Sequence, residues 1–368
     1  MDKFPVSLSR FQISASCRYL HKKRLSKRAV SAFFAAILLS GCAVSSKPET
    51  KETVSLPSLD REYINASVLM QAMTVLNKNY VDKEKVSHDK LFNAAIGLET
   101  KKFKLEDTFD ATQPLQLVNH TITDVPSLRR TLTLPEILMY SSNIGSAQIA
   151  LGVGADKQKE YLRKFGFLNS LNIELPEKGQ PIFPVKWREA NTATVSYGYG
   201  LSVTPLHVVA AAAALVNGGF YRVPSFFANE NEIPAKKIIS EKTSDAMRAM
   251  MRMVVLKGTG KRANVAGYEV GGKTGSARKV VNGKYAEDNV RTSFLSAFPM
   301  DNPEYVLMVM IDSPKKTQAT SFQNNAAWNA VPAAEKIISA VAPQLGVAPR
   351  PYESSQTAPY VRRILSEK

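Results

Sequence analysis

Residues 267–284 have the sequence Gly-Tyr-Glu-Val-Gly-Gly-Lys-Thr-Gly-Ser-Ala-Arg-Lys-Val-Val-Asn-Gly-Lys, and this stretch decides the fold. Asn-Gly between two β-prone runs is the strongest short signal for a two-residue hairpin. Together with two later apolar runs, it predicts three adjacent strands at Tyr268–Val281, Arg291–Phe298 and Tyr305–Asp312. Helical patterns surround these strands. We therefore predict an α/β (α+β) fold in which helices cover an antiparallel sheet.

The same stretch also matches the phosphate-loop pattern of ATPases, G-x-x-x-x-G-K-[ST], from Gly267 to Thr274. A phosphate loop needs a helix directly after its Lys-Thr pair, because the N-terminal N–H groups of that helix hold the anion. Here the pair leads into the hairpin, so Lys273 and Thr274 are predicted to lie on a strand. This placement rejects the ATPase interpretation.

The composition is that of a globular protein: 368 residues are 44% apolar and 22% charged. Lys and Arg number 48 against 32 for Asp and Glu, a net charge of +16 that on first inspection suggests a nucleic-acid partner. Two cysteines exclude a disulfide scaffold, and four histidines leave little material for a metal site. We expect no cofactor and no metal.

The basic charge is concentrated at the start of the chain. Residues 1–28 contain eight Lys and Arg and one Asp, and an apolar run over residues 29–39 leads to Ser-Gly-Cys42. This order is typical of an export signal. The end of the run also resembles a bacterial lipobox in which Cys42 is lipidated, and an uncleaved signal anchor is the alternative. Either interpretation accounts for much of the charge without a nucleic-acid partner.

These signals divide the chain into four parts. Residues 1–41 are predicted to be a signal peptide or signal anchor, and residues 42–60 a polar tether that cannot form a core. Residues 61–346 are predicted to be the folded domain and residues 347–368 a C-terminal tail. We expect the protein in the cell envelope, anchored to the membrane, with its folded domain in the periplasm.

A candidate binding strand follows from the Lys-Thr-Gly sequence at 273–275. A Lys ammonium and a Thr hydroxyl beside a cleft can bind a carboxylate, and Gly275 lets a substrate backbone approach the strand. The N–H of Ser276 can point at a developing oxyanion.

A candidate hydroxyl and amide pair lies upstream, at Ser141 and Asn143. The apolar periodicity around them predicts one helix that begins at Thr133-Leu-Pro and ends near Gly152. The pair lies where this helix nears its polar end.

A candidate nucleophile and base lie earlier still, at Ser87-His-Asp-Lys90. On a helix, residues three apart share a face, so Lys90 can deprotonate the Ser87 hydroxyl if burial and a second cation lower its pKa. The scarcity of histidine favours lysine as the base. Asp89 beside Lys90 has the opposite effect, because a neighbouring carboxylate raises the pKa of a lysine.

The order S-x-x-K, S-x-N, K-T-G at Ser87, Ser141 and Lys273 resembles penicillin-binding proteins and serine β-lactamases. Four longer stretches are similar to class B penicillin-binding proteins of the division-specific transpeptidase type, namely residues 134–145, 196–205, 270–275 and 346–350. The resemblance implies that residues 61–346 are a transpeptidase domain with that fold. Upstream of Ser87 nothing matches, so we expect an N-terminally truncated or divergent member whose sheet lacks its first strands and has an uncovered edge.

The resemblance implies a D,D-transpeptidase that cross-links peptidoglycan stem peptides through an acyl-serine and is acylated by penicillins. Its partners would be stem peptides, β-lactams and cell-division membrane proteins. The implied roles are nucleophile for Ser87, base for Lys90, proton relay and peptide binding for Ser141 and Asn143, carboxylate binding for Lys273 and Thr274, and oxyanion binding for the N–H groups of Ser87 and Ser276.

Other functions stay open at this point. A D,D-carboxypeptidase or β-lactamase would use the same acyl-serine chemistry with water as the acceptor. A catalytically impaired relative that binds stem peptides as a lipoprotein is the alternative from a different class.

Overall fold

A computed structural model describes residues 11–18, 88–118, 120–176, 178–227, 234–281 and 284–350. The helices are α1 (Asp89–Glu99), α2 (Leu134–Tyr140), α3 (Asn143–Val153), α4 (Ala155–Lys164), α5 (Glu189–Val195), α6 (Pro205–Val216), α7 (Glu241–Leu256) and α8 (Ala330–Val341). The strands are β1 (Phe11–Arg18), β2 (Thr108–Asp110), β3 (Leu115–Leu117), β4 (His120–Ile122), β5 (Thr131–Thr133), β6 (Phe220–Tyr221), β7 (Lys236–Lys237), β8 (Gly271–Val281), β9 (Lys284–Phe298) and β10 (Tyr305–Asp312).

The main sheet has four antiparallel strands in the order β1-β10-β9-β8. Val281 pairs with Lys284, so β8 and β9 are joined by a two-residue connection, as the Asn-Gly signal predicts. Lys273 and Thr274 lie on β8, which confirms that the phosphate-loop interpretation is wrong. The three predicted strands are present, with two differences in their bounds. Strand β8 begins at Gly271 rather than Tyr268, and β9 begins at Lys284 rather than Arg291 because the hairpin ladder continues to its turn.

The edge of this sheet differs from the sequence expectation. Strand β1 pairs antiparallel with β10 in the uncleaved chain, so that edge is covered there and the expectation of an open edge is wrong for it. Pairing satisfies backbone groups of β10 that an edge would leave unpaired. The strand comes from within residues 1–41, the predicted signal peptide or anchor. That prediction stays a prediction, and Cys42 and the tether lie outside the described residues.

Both faces of the sheet are buried, which explains the unbroken apolar run of β10. Alternate side chains of a strand point to opposite faces. Val306, Met308 and Met310 pack with the large helical core, which includes residues of α1, α6 and α7. The intervening Leu307, Val309 and Ile311 pack against α8. The prediction of a helix-covered antiparallel sheet is therefore confirmed.

The predicted helix over residues 133–152 is two helices. It breaks at Ser141, whose backbone is left-handed with φ 61° and ψ 42°. Ser142 then caps α3, and its Oγ accepts the N–H of Gly145 at 3.0 Å. Apolar periodicity continues across the break, so the sequence pattern does not reveal it.

Helix α8 is preceded by a 3-10 turn at Ala326–Trp328. Within the described ranges, no helix combines the length and apolarity needed to cross a membrane.

Packing of α1 against α4 and the segment that follows it depends on Phe92. Its ring makes edge contacts with Phe165 at 5.3 Å and Phe167 at 4.7 Å between ring centroids, and all three rings are buried.

We expect Phe92→Ala to lower the free energy of unfolding by about 3–5 kcal/mol, measured by urea denaturation. Phe322→Ala is the matched control, because that ring is 66% exposed and its loss should change stability by less than about 0.5 kcal/mol. Equal effects of the two substitutions would contradict the packing.

Candidate active site

Three side chains from distant parts of the sequence meet at one hydroxyl. The Nζ of Lys90 donates to Ser141 Oγ at 3.0 Å and to the Ser141 carbonyl oxygen at 2.6 Å. The Nζ of Lys273 donates to the same Oγ at 2.8 Å and to the Thr274 carbonyl oxygen at 3.0 Å. The structure thus brings together one residue from each of the three predicted motifs.

The elements around these residues fix their positions. Lys90 lies in the first turn of α1, Ser141 ends α2 in its left-handed conformation, and Lys273 lies on β8. Lys273 is 1% exposed, which is unusual for a lysine and requires hydrogen-bond partners for its ammonium. The backbone reversal at Ser141 turns its hydroxyl and its carbonyl oxygen toward the lysines.

Hydrogen-bond counting assigns a direction to the Ser141 hydroxyl. A hydroxyl accepts two hydrogen bonds and donates one. Both acceptor positions of Ser141 Oγ are used by the two lysines. Its own proton can therefore be donated to a bound substrate, and the lysines can replace that proton.

Burial makes the ammonium groups of Lys90 and Lys273 stronger acids than those of ordinary surface lysines. Burial lowers the pKa of Lys90 from 10.5 to about 8, although the negative charges of Asp124 and Asp89 act to raise it. Burial, and then the positive charge of Lys90, lowers the pKa of Lys273 well below its ordinary value. Two neighbouring buried cations are costly, so the site readily gives up a proton near neutral pH.

The expectation about Asp89 is partly correct. The Asp89 carboxylate does act to raise the pKa of Lys90, but desolvation outweighs it, and the Lys90 ammonium donates to Ser141. His88, the cap of α1, is buried. Burial, and then the positive charge of Lys273, lowers the pKa of its imidazole to about 3. It is therefore neutral at physiological pH.

Asn143 opens α3, two residues after Ser141. Its Nδ2 donates to the Thr123 carbonyl oxygen at 2.8 Å, and its backbone N–H donates to Asp124 Oδ1 at 2.5 Å. Sequence reasoning missed Asp124, because a single carboxylate between short strands carries no spacing signal.

The rest of the predicted binding strand follows Lys273 along β8. Thr274 Oγ1 is 2.8 Å from Thr259 Oγ1, a second residue that sequence reasoning missed. The N–H of Thr259 donates to the carbonyl oxygen of Met139 at 3.2 Å, which ties the strand to the end of α2. Ser276 is exposed, and its Oγ accepts the N–H of Ala326 at 3.1 Å. Gly275 lies between Thr274 and Ser276 on the same strand.

Ser87, the predicted nucleophile, lies outside the described residues, directly before His88. Its role, the oxyanion role of Ser276 and the lipidation of Cys42 stay predictions. In the ranges that the structure describes, no group of three or more His, Cys, Asp or Glu side chains could hold a metal ion.

Comparison with known proteins decides the family. Residues 86–334 match the penicillin binding protein transpeptidase domain, a range that contains all three motifs. This chain belongs to that family. The probable peptidoglycan D,D-transpeptidase FtsI of Caulobacter vibrioides is 34% identical over 273 residues, which cover 70% of this chain and 46% of the relative. The family match and its similarity to this transpeptidase together identify the chain as a class B penicillin-binding protein.

Solved structures of penicillin-binding proteins share the fold. The apo transpeptidase domain of Burkholderia pseudomallei penicillin-binding protein 3 has a TM-score of 0.66 at 28% identity and covers 72% of this chain and 80% of its own. Mycobacterium tuberculosis penicillin-binding protein 3 complexed with ampicillin has a TM-score of 0.67 at 25% identity, covering 74% and 64%. The chain spans about half, or less, of the length of the curated relatives it matches.

The lowered pKa of Lys90 predicts a pH-dependent cost to stability. Between about pH 8 and 10.5 the unfolded chain binds more protons than the folded one, so the contribution of Lys90 to stability rises with pH. We expect Lys90→Met to raise the free energy of unfolding at pH 7 by about 1–3 kcal/mol, because it removes a buried charge. The gain should shrink as the pH rises toward 10.5. Urea denaturation at several pH values measures it.

Lys102→Met is the control for this experiment, since Lys102 is exposed. It should change stability by less than about 0.5 kcal/mol at every pH. A Lys90→Met gain that is absent at pH 7, or independent of pH, would contradict the lowered pKa.

Proposed function

We propose that this protein is a serine-type D,D-transpeptidase that cross-links peptidoglycan stem peptides and is acylated by β-lactams. The observation that carries the proposal is the hydrogen-bonded group of Lys90, Ser141 and Lys273. Two buried lysines on one hydroxyl can take up a proton from a nucleophile and deliver it to a leaving group. The curated relatives named D,D-transpeptidases and the solved penicillin-binding proteins support the same chemistry.

In the proposed first step, Ser87 Oγ attacks the carbonyl carbon between the two terminal D-alanines of a donor stem peptide. Lys90 takes the hydroxyl proton, the new C–O bond forms, and the C–N bond breaks. The leaving nitrogen receives a proton from Ser141, which is resupplied by the lysines. D-alanine leaves and the donor remains as an ester on Ser87. A penicillin reacts in the same way, except that its broken amide is part of a ring.

In the proposed second step, the amine of a second stem peptide attacks this ester. The amine loses a proton through the same relay, and Ser87 leaves with its hydroxyl restored. During the first step, before D-alanine leaves, Thr274 and Lys273 hold the terminal carboxylate of the donor. Asn143 holds the donor backbone in both steps. The N–H groups of Ser87 and Ser276 stabilise the oxyanion of each step.

The impaired, binding-only alternative is not favoured by the site. Burial of two lysines at a shared hydroxyl costs folding free energy, and carboxylate binding needs one cation rather than two. Natural proteins retain such costs mainly where activity requires them.

Labelling with a fluorescent penicillin tests the function. We expect the purified protein to form a covalent adduct, seen as a labelled band and as a mass increase of one ring-opened penicillin. Ser87→Ala should lose the adduct completely, and Lys90→Met should slow labelling by about 100-fold or more. Ser339→Ala is the control, because this exposed serine lies on α8. No adduct on the unaltered protein would refute the function, and an adduct on Ser87→Ala would refute Ser87 as the nucleophile.

We also propose that the protein is a membrane-anchored lipoprotein or signal-anchored protein of the cell envelope, with its catalytic domain in the periplasm. The basic and apolar order of residues 1–41 and the sequence around Cys42 support this location. Membrane-bound division proteins are the partners that the class B relationship suggests.

Mass spectrometry of the mature N-terminus tests the anchor. We expect a chain that begins at lipidated Cys42 and that loses both its lipid and its membrane association in Cys42→Ala. Cys17→Ala is the matched control and should retain both. A mature chain that still contains residues 11–18 would refute cleavage at Cys42 and would retain strand β1 in the sheet.

A further inference from the structure

The turn that carries Ser141 and Asn143 is held by a buried carboxylate outside the three motifs. Asp124 follows β4 and is 7% exposed. Its Oδ2 accepts the hydroxyl hydrogen of Ser142 at 2.7 Å. Its Oδ1 accepts the N–H of Asn143 at 2.5 Å and the N–H of Ile144 at 3.0 Å.

These contacts complete the start of α3. The first N–H groups of a helix have no partner within the helix. Asp124 takes the first two, and Ser142 Oγ takes the N–H of Gly145. A negative charge at this end of a helix is also stabilised by the helix dipole. Asp124 thus holds the backbone on the C-terminal side of the turn, at Ser142 and Asn143, directly after Ser141.

The same carboxylate acts on the base of the proposed reaction. Among the described residues, Asp124 and Asp89 are the negative charges that act on Lys90. Asp124 and the Lys90 ammonium also contact neighbouring residues of one turn, Lys90 at Ser141 and Asp124 at Ser142. From β8, Lys273 contributes a positive charge, and His88 is neutral. The turn between α2 and α3 contributes no charged side chain. Asp124 is therefore the acidic group that contacts the turn and also acts on the lysine.

We propose that Asp124 is a positioning residue of this site, whose carboxylate fixes the Ser141-Ser142-Asn143 turn and serves as a counter-charge to Lys90. It acts through these residues and does not touch the substrate. The role rests on the proposed acyl-serine function, in which Lys90 must lose its proton before Ser87 is acylated.

The pH profile of penicillin acylation tests the role as a counter-charge. In the unaltered protein the acylation rate should rise with pH as Lys90 loses its proton, near pH 8. Asp124→Asn removes the negative charge but keeps the shape, so Lys90 should lose its proton at lower pH. We expect the rising limb of the profile to shift to lower pH and the plateau rate to fall by about tenfold or more, since the turn is less firmly held.

Ser142→Ala is the matched control. It removes the hydrogen bond to Asp124 Oδ2 and the cap of α3 but leaves the charge in place. Ser142→Ala should lower the acylation rate without shifting the rising limb of the pH profile. A limb for Asp124→Asn that superimposes on that of the unaltered protein would overturn the counter-charge role.

The free energy of unfolding tests the same inference without any measurement of acylation. At pH 7, Asp124→Asn should reduce the free energy of unfolding more in the presence of Lys90 than in Lys90→Met, because the first background also loses the charge attraction. Equal losses in the two backgrounds would overturn the inference. If no variant is acylated at any pH but the losses differ, the proposed function fails and the Asp124–Lys90 coupling stands.

Discussion

The structure depends on two buried ammonium groups that share one hydroxyl. Ser141 Oγ accepts a hydrogen bond from each of the two lysines, and the positive charge of Lys90 disfavours that of Lys273. This arrangement is held by three elements far apart in the chain: the start of α1, the α2–α3 junction and strand β8. Apolar packing of Leu91 and Phe92 fixes the start of α1. Hydrogen bonds to β9 fix strand β8. The stability of these packed elements therefore offsets the free-energy cost of placing two ammonium groups close together away from water.

Much of the fold follows from local patterns. The Asn-Gly hairpin signal predicts the β8–β9 pair, and the apolar run of β10 predicts a strand with the bounds that the structure has. Both succeed because turn chemistry and strand length are local properties. Residues of the three motifs that lie in the described part of the chain also meet, since motif order and spacing reflect the fold that carries them.

The failures have physical reasons as well. The break at Ser141 is invisible because the apolar periodicity of α2 continues into α3. The reversal is closed by the N–H groups of Ser141 and Ser142, which donate to the Ile137 carbonyl oxygen, and this backbone geometry has no signature in the apolar pattern. Strand β1 is missed because charge and hydropathy describe a segment's composition, whereas strand pairing depends on which edge is available. Asp124 itself carries no motif. Its role depends on the residues that it contacts in the folded protein, and the spacing of residues along the sequence does not predict such contacts.

The left-handed conformation of Ser141 restricts which side chain can serve there during evolution. Threonine offers the same hydroxyl, but its β-branch makes a positive φ a genuine outlier. Asparagine and glycine accept the backbone geometry but cannot act as a hydroxyl relay. Serine is thus the natural residue that meets both demands. A variant that keeps the proposed relay would have to change the surroundings of this hydroxyl and leave the hydroxyl itself in place.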